Sequence, residues 1–161
     1  LESVARRLPV SRHAIHDGLT NVCVPARFQR IGHDPEVVLD VAHNPEAARA
    51  LAQALLDMPV PGKTIAVFGM LADKDARSVI ETLSSGFDAW FVAGLAGERG
   101  QSPEPLAQLI EAHTGKAVRC FPDQSSAWKA ARLEAGLGDR IAVFGSFHTV
   151  AEILPHVCQR C

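Results

Sequence analysis

The sequence lacks a surplus of charge of either sign. Sixteen basic side chains stand against eighteen acidic ones, a balance that argues against a protein built mainly to grip nucleic acid or anionic lipid. No apolar run approaches the length of a membrane span, and no signal-peptide pattern opens the chain. Polar low-complexity tracts are missing too, so nothing points to a disordered segment. Cysteine is sparse: Cys23, Cys120, Cys158 and Cys161. A chain of 161 residues that is 47% apolar can bury a core without disulfide staples. The C-terminal C-Q-R-C, preceded by His156, admits a redox or metal reading. Yet a redox pair normally sits where a strand meets a helix, and a zinc site needs more ligands. The four read as incidental cytosolic thiols, which gives the expectation of a cytoplasmic protein with no nucleic-acid or membrane partner.

What is present is a regular alternation from residue 36 onward. VVLD (37–40), KTIAVFG (63–69), AWFVAG (89–94), AVRC (117–120) and IAVFGS (141–146) read as strands. Between and after them lie helical runs at about 45–58, 76–83, 103–112, 125–135 and 147–154. Ala47, Leu51, Ala54, Leu55 and Met58 share one face of the first. Ser102 and Pro103 read as the N-cap and first turn of the third, Gly136 as the end of the fourth, and Pro155 as the stop of the last. The strands are continuous apolar runs, the mark of burial on both faces. With a helix between each pair, the economical solution is an α/β fold with a mostly parallel, doubly wound sheet and helices on both faces.

Residues 1–24 follow a different pattern. LESVARRL and SRHAIHDGLTNV are two short helical stretches split by Pro9, with Ser11 placed to cap the second. A boundary is expected near Val24 and Pro25, with residues 1–24 belonging to a preceding domain or linker and 25–161 forming the α/β domain. The start at Leu1, not at Met, fits a piece of a longer protein.

The pentapeptide IAVFG occurs at 65–69 and again at 141–145, each copy followed by a polar loop. Two central strands with equal packing demands would account for the repeat alone. Both copies nevertheless deliver glycine and polar residues to the carboxyl ends of strands, the edge where open α/β sheets bind ligands. LDVAHNP leaves a strand in the same way. A parallel sheet would therefore gather Asp40, His43, Asn44, Asp73, Lys74, Asp75, Ser146 and His148 on one rim. Local duties compete for several of them: Asn44 before Pro45 and Glu46 is a sound N-cap, Ser146 could cap the last helix, and Asp73 and Asp75 suit a helix start. GKT at 62–64 is not a phosphate-binding loop, because Asp57 stands where the first glycine should be and a strand follows where a helix is required. GLAGERGQ (94–101) does not match G-x-G-x-x-G and reads as a mobile loop that could border a ligand.

PARFQ, LDVAHNP, VFGMLADKD and VFGSFHTVAE, in this order and at these distances, resemble the C-terminal domain of folylpolyglutamate synthase. In many bacteria this enzyme doubles as dihydrofolate synthase, and it belongs to the Mur ligase superfamily of ATP-dependent amide-forming enzymes. The resemblance runs over essentially all 161 residues. It implies a Rossmann-like Mur ligase C-terminal domain, with ATP and L-glutamate as ligands and dihydropteroate or a folyl glutamate tail as acceptor. It also implies that the phosphate-binding loop and the Mg2+ ligands lie on a central ATPase domain outside this chain, with no metal ligand here. The enzyme would be monomeric, and this chain alone would be inactive. By position, Arg27 would contact ATP phosphates or ribose and Asp40 the ribose hydroxyls. His43, the candidate catalytic residue, would lie where the segment closes on the ATP and glutamate side. Lys74 and Ser146 would hold the incoming amino acid, with His148 as a further candidate. The linker motif usually carries glycine where this chain has Ala26, and the turn after Asp40 more often has glycine where this chain has Val41. Two alternatives stay open: the corresponding domain of a peptidoglycan Mur ligase, and a stand-alone nucleotide- or small-molecule-binding α/β module.

Overall fold

Strand-forming runs rich in Val, Ile, Phe and Trp set up the centre of the fold. The computed structural model describes residues 10–22 and 24–157. LESVARRL, Cys23 and the Cys158–Cys161 pair lie outside the described residues. Helix α1 (Arg12–Asn21) comes first, followed by β1 (Gln29–Ile31), β2 (Glu36–Leu39), α2 (Pro45–Asp57) and β3 (Thr64–Phe68). Next come α3 (Ala76–Leu83), β4 (Ala89–Ala93), α4 (Glu104–Thr114) and β5 (Val118–Phe121), then α5 (Gln124–Glu134), β6 (Arg140–Phe144) and α6 (Phe147–Val157). Six strands form one sheet in the order β1-β2-β6-β3-β4-β5. All neighbours are parallel except β1, which pairs antiparallel with β2. The doubly wound fold expected from the sequence is present.

The two IAVFG copies lie side by side. Ile65 pairs with Ile141, Ala66 with Ala142, Val67 with Val143 and Phe68 with Phe144. Successive side chains point to opposite faces, and the core divides accordingly. On one face Val38, Phe68, Trp90 and Phe144 pack against Leu51 of α2, Ile80 of α3 and Ile110 of α4. On the other, Leu39, Val67, Phe91 and Val143 pack against Trp128 of α5 and Ile153 of α6. Helix α3, which follows β3, thus covers one face, and α6, which follows β6, covers the other. The chain parts between two adjacent strands, which opens a crevice at their carboxyl ends.

Strand β1 is an antiparallel edge that the sequence reading did not include; at three residues it is too short to show a period. Three local expectations need correction. Helix α4 has Pro103, not Ser102, at the N-cap and no side-chain cap bond. The Ser102 hydroxyl bonds the Glu104 carboxylate instead and lowers its pKa. Pro155 does not stop α6, which runs on to Val157; proline removes its own bond to the carbonyl four residues back and crowds the turn before it, and leaves the N–H groups after it free to continue the helix. In α2 the buried face is Ala48, Leu51 and Leu55, with Ala47, Ala54 and Met58 only half-buried. Capping by Ser11, which accepts the Ala14 N–H at 3.1 Å, is as expected.

At the amino ends of the strands, Glu36 and Arg140 face each other across β2 and β6. Arg140 Nε donates to Glu36 Oε2 at 2.6 Å, and Arg30 Nε donates to Oε1 at 2.6 Å. Arg140 also donates to the carbonyls of Leu55 and Met58. This buried network closes the edge of the sheet opposite the crevice.

Candidate functional site

Glycine makes the crevice possible. Gly145 has φ +111°, and a Cβ there would fall 2.4 Å from the Gly69 carbonyl oxygen and 2.8 Å from the Phe68 ring. The loops after β3 and β6 can leave the sheet in contact only because both IAVFG copies end in glycine. Between them, with the loop after β2, opens a cavity of about 250 Å³ lined by His43, Leu71, Lys74, Arg99, Gly145, Ser146, Phe147 and His148. An adjoining cavity of about 210 Å³ shares Leu71, Arg99 and His148 and adds Glu98 and the backbone around Gly97.

Each rim residue can now be placed. Asn44 caps α2, accepting the Ala47 N–H at 2.9 Å, and Asp75 caps α3 through the Ser78 N–H at 3.1 Å. Ser146 is buried, and its Oγ accepts the Thr149 N–H at 3.0 Å. Thr149 Oγ1 donates to the Gly69 carbonyl at 2.7 Å and lies 2.9 Å from Ser146 Oγ. Thr149 has one hydroxyl proton, so Ser146 gives its own proton to Thr149. Ser146 therefore borders the cavity and caps α6 at once, with a lone pair left over and no spare donor.

Asp40 is likewise engaged. Its Oδ2 accepts the Phe28 N–H at 2.8 Å and its Oδ1 the Ala42 N–H at 2.7 Å. Burial pushes the Asp40 carboxyl above its ordinary range, against the opposing pull of those two N–H groups and the Arg27 charge. The carboxylate thereby fixes the turn from Pro25 to Phe28 against the end of β2. In that turn Ala26 and Phe28 have φ of +59° and +42°. Where the linker motif usually has glycine, Ala26 takes up the left-handed conformation itself. Val41 is not among the positive-φ residues.

His43 Nδ1 lies 2.7 Å from the Val41 carbonyl oxygen. A carbonyl only accepts, so Nδ1 carries the hydrogen, and Nε2 of the neutral ring is left as an acceptor. The exposed Phe147 ring sits 6.5 Å from the His43 ring, and the Arg27 guanidinium carbon lies 5.7 Å from its centroid. Arg27, His43 and Phe147 thus form one shoulder of the cavity. Lys74 and Arg99 form the other, with His148 beside them. The Asp73 Oδ2 atom stands between the two cations, 2.5 Å from Arg99 and 3.8 Å from Lys74. These contacts hold the Asp73 carboxyl below its usual range, the Arg99 hydrogen bond first among them.

The structure brings His43, Lys74, Ser146 and His148 to one cavity, with Arg27 next to it across Phe147. Asp40 serves the neighbouring turn. Sequence reasoning missed Arg99 and Phe147. Arg99 lies in the glycine-rich stretch 94–101, which had suggested a mobile ligand border. That stretch is fastened instead: Ala72 N–H donates to the Arg99 carbonyl at 3.0 Å, Leu95 N–H to that of Gln101 at 2.9 Å, and Gln101 Nε2 to that of Met70 at 2.9 Å. Among the described residues no group of three His, Cys, Asp or Glu could hold a metal ion, and no helix is long and apolar enough to cross a membrane.

An open α/β sheet with a cationic cavity at its parting point is the arrangement in which folds of this class bind small anions and nucleotides. Residues 26–147 match the family described as Mur ligase, glutamate ligase domain, and the chain belongs to that family. It is 42% identical over 156 residues to dihydrofolate synthase/folylpolyglutamate synthase of Escherichia coli strain K12, covering 97% of this chain and 36% of that protein. Among solved structures it resembles a bifunctional folylpolyglutamate synthase/dihydrofolate synthase with Mn, AMPPNP and L-glutamate bound. The TM-score there is 0.86 at 41% identity, over 94% of this chain and 36% of the other. E. coli FolC in complex with DHPP and ADP gives a TM-score of 0.85 at 40% identity, over 94% and 35%. The chain thus spans only 36%, 35% and 37% of the length of three relatives it matches.

Proposed function

We propose that this chain is the C-terminal part of an ATP-dependent ligase that adds L-glutamate to dihydropteroate, to a folyl glutamate tail, or to both. The observation that carries the reading is the cavity at the parting of β3 and β6, bordered by Lys74, Arg99, His43 and His148. It sits in a chain whose relatives are named for these two reactions. Residues 1–24 would belong to a preceding ATPase domain. Helix α1 buries none of its residues and leaves Leu19 exposed, as expected of a helix that packs on chain outside this piece. The protein would act as a monomer in the cytoplasm.

The chemistry runs in two steps. A carboxylate oxygen of the acceptor attacks the γ-phosphorus of ATP, and ADP leaves. The α-amine of glutamate then attacks the acyl carbon, inorganic phosphate leaves with its oxygen, and an amide remains. Both steps depend on charge neutralisation and on firm placement of the amine. Arg27 offers a fork of donors suited to phosphate or ribose oxygens. Asp40 acts on the nucleotide side by holding the Arg27 turn in place, and a free lone pair on each oxygen remains for ribose hydroxyls. Lys74 is a point charge for a glutamate carboxylate, with His148 beside it. Ser146 contributes an acceptor lone pair near the amine. His43, with its Nδ1 proton committed to Val41, offers Nε2 to receive the proton that the amine loses. A divalent cation such as Mg2+ would supply charge neutralisation at the phosphates. Its ligands would lie on the preceding ATPase domain, as the family resemblance implies.

The test is steady-state kinetics on the full-length protein that carries this domain. Arg27→Ala should raise the KM for ATP, and Lys74→Ala the KM for L-glutamate, each by roughly tenfold or more, the loss of one charge-assisted contact. Unchanged values in both variants would sink the assignment.

A further inference from the structure

Arg99 is the one cation of the cavity for which the site as read so far has no task. It reaches the cavity from the 94–101 loop, while Lys74 reaches it from the loop after β3. The two converge on a single oxygen, Oδ2 of Asp73, so they are close enough for one carboxylate to touch both. Side-chain exposures of 58% for Arg99 and 48% for Asp73 make their pair worth little to folding. The loop does not need the pair either, because backbone groups fasten it through Ala72 and Leu95.

Formal charge then points to an occupant. Lys74, Arg99 and Asp73 together carry one net positive charge. A neutral amino acid brings one ammonium and one carboxylate and leaves that charge unanswered, whereas an acidic amino acid brings one carboxylate more and cancels it. The adjoining cavity is the poorer place for that carboxylate, since Glu98 lines it. Taking the cavity as the amino-acid site proposed above, we infer that Arg99 is a specificity-determining residue that selects an acidic amino acid by binding its side-chain carboxylate. Asp73 is the positioning residue that aims the guanidinium. The fork of Arg99 can meet a carboxylate with two parallel hydrogen bonds, which gives direction as well as charge.

The experiment compares parent, Arg99→Ala, Arg99→Lys and Lys74→Ala in the full-length protein. It measures the KM for L-glutamate, the inhibition constant of L-glutamine as a competitor, and the KM for ATP. Arg99→Ala should raise the KM for glutamate roughly 10- to 100-fold and leave the glutamine constant and the ATP KM within about twofold of the parent. Arg99→Lys should recover part of the loss. A glutamate KM unmoved by Arg99→Ala but raised by Lys74→Ala would overturn the role of Arg99 and leave the amino-acid site standing. Equal weakening of glutamate and glutamine by Arg99→Ala would overturn selectivity in favour of general support of the site. No effect of either variant on glutamate would bring down the site and the inference together.

Discussion

Gly145 stands against Gly69: a single methyl group at Gly145 would meet the Gly69 carbonyl oxygen at 2.4 Å. The two residues end identical pentapeptides on neighbouring parallel strands, and Gly145 lines the cavity. Gly145→Ala would combine this overlap with strain at φ +111°. Neither the Gly69 backbone nor the packed Phe68 ring can retreat freely. The variant should lose about 3 kcal/mol or more of stability, read as a lower midpoint in urea with an unchanged slope. A loss under about 1 kcal/mol would mean that the two loops part more easily than their packing implies.

At the opposite edge, Glu36 and Arg140 are buried and answer each other's charge. Burial alone would raise the Glu36 carboxyl, but hydrogen bonds and charges from Arg140 and Arg30 outweigh it and hold the group below its ordinary range. A depressed carboxyl contributes stability that is present above the unfolded-state pKa, about 4.3, and is lost as pH falls through the folded-state value. Glu36→Gln leaves the Arg140 charge uncompensated and should cost about 3–5 kcal/mol at neutral pH. The gap between parent and variant should narrow under acid, which urea denaturation from pH 7 down to pH 3 would measure. A gap independent of pH would show that the ion pair is not its source.

How much of this was legible beforehand depended on the range of the interaction. Fully buried strands announce themselves as unbroken apolar runs, and the caps at Ser11 and Asn44 are decided by neighbours three residues away. The convergence of three loops on one rim followed from parallel strands alone. The insertion of β6 between β2 and β3 did not, because it depends on pairing across the whole domain. The dual duty of Ser146 was half visible: a cap could be foreseen from the helix start, but not the chain of hydrogen bonds through Thr149 to the Gly69 carbonyl. Arg99 was hidden by its surroundings, since a glycine-rich loop reads as loose until its backbone partners Ala72 and Leu95 are known.

Ala26 gives a sharper test of the turn that carries Arg27. At φ +59° a residue with a Cβ pays about 1–2 kcal/mol that glycine does not, while glycine loses more chain entropy on folding. These terms nearly offset, so Ala26→Gly should change stability by less than about 1 kcal/mol. Ala26→Val adds a branched Cβ in the same conformation and should cost about 2 kcal/mol or more. Thermal melts of the two variants suffice. A valine variant as stable as the glycine one would show that the turn readily leaves the left-handed region.

Asp40 is the lock on that turn, because the Phe28 N–H it accepts belongs to a residue held at φ +42°. Asparagine keeps the shape of the side chain but offers one acceptor oxygen where the carboxylate offers two. In Asp40→Asn an amide N–H would face either Phe28 or Ala42 N–H, at a cost of about 1–3 kcal/mol. The pH dependence runs opposite to that of Glu36. Burial, the largest influence on Asp40, raises its carboxyl, so the folded state holds the proton more tightly than the unfolded one. The contribution of Asp40 to stability is therefore greatest in acid and declines as pH rises from the unfolded-state value, about 3.9, through the folded one. Subtracting the stability curve of Asp40→Asn from that of the parent should give a difference that falls with rising pH across that window and is flat above it. A difference that rises instead would mean that the two N–H groups and Arg27 outweigh burial.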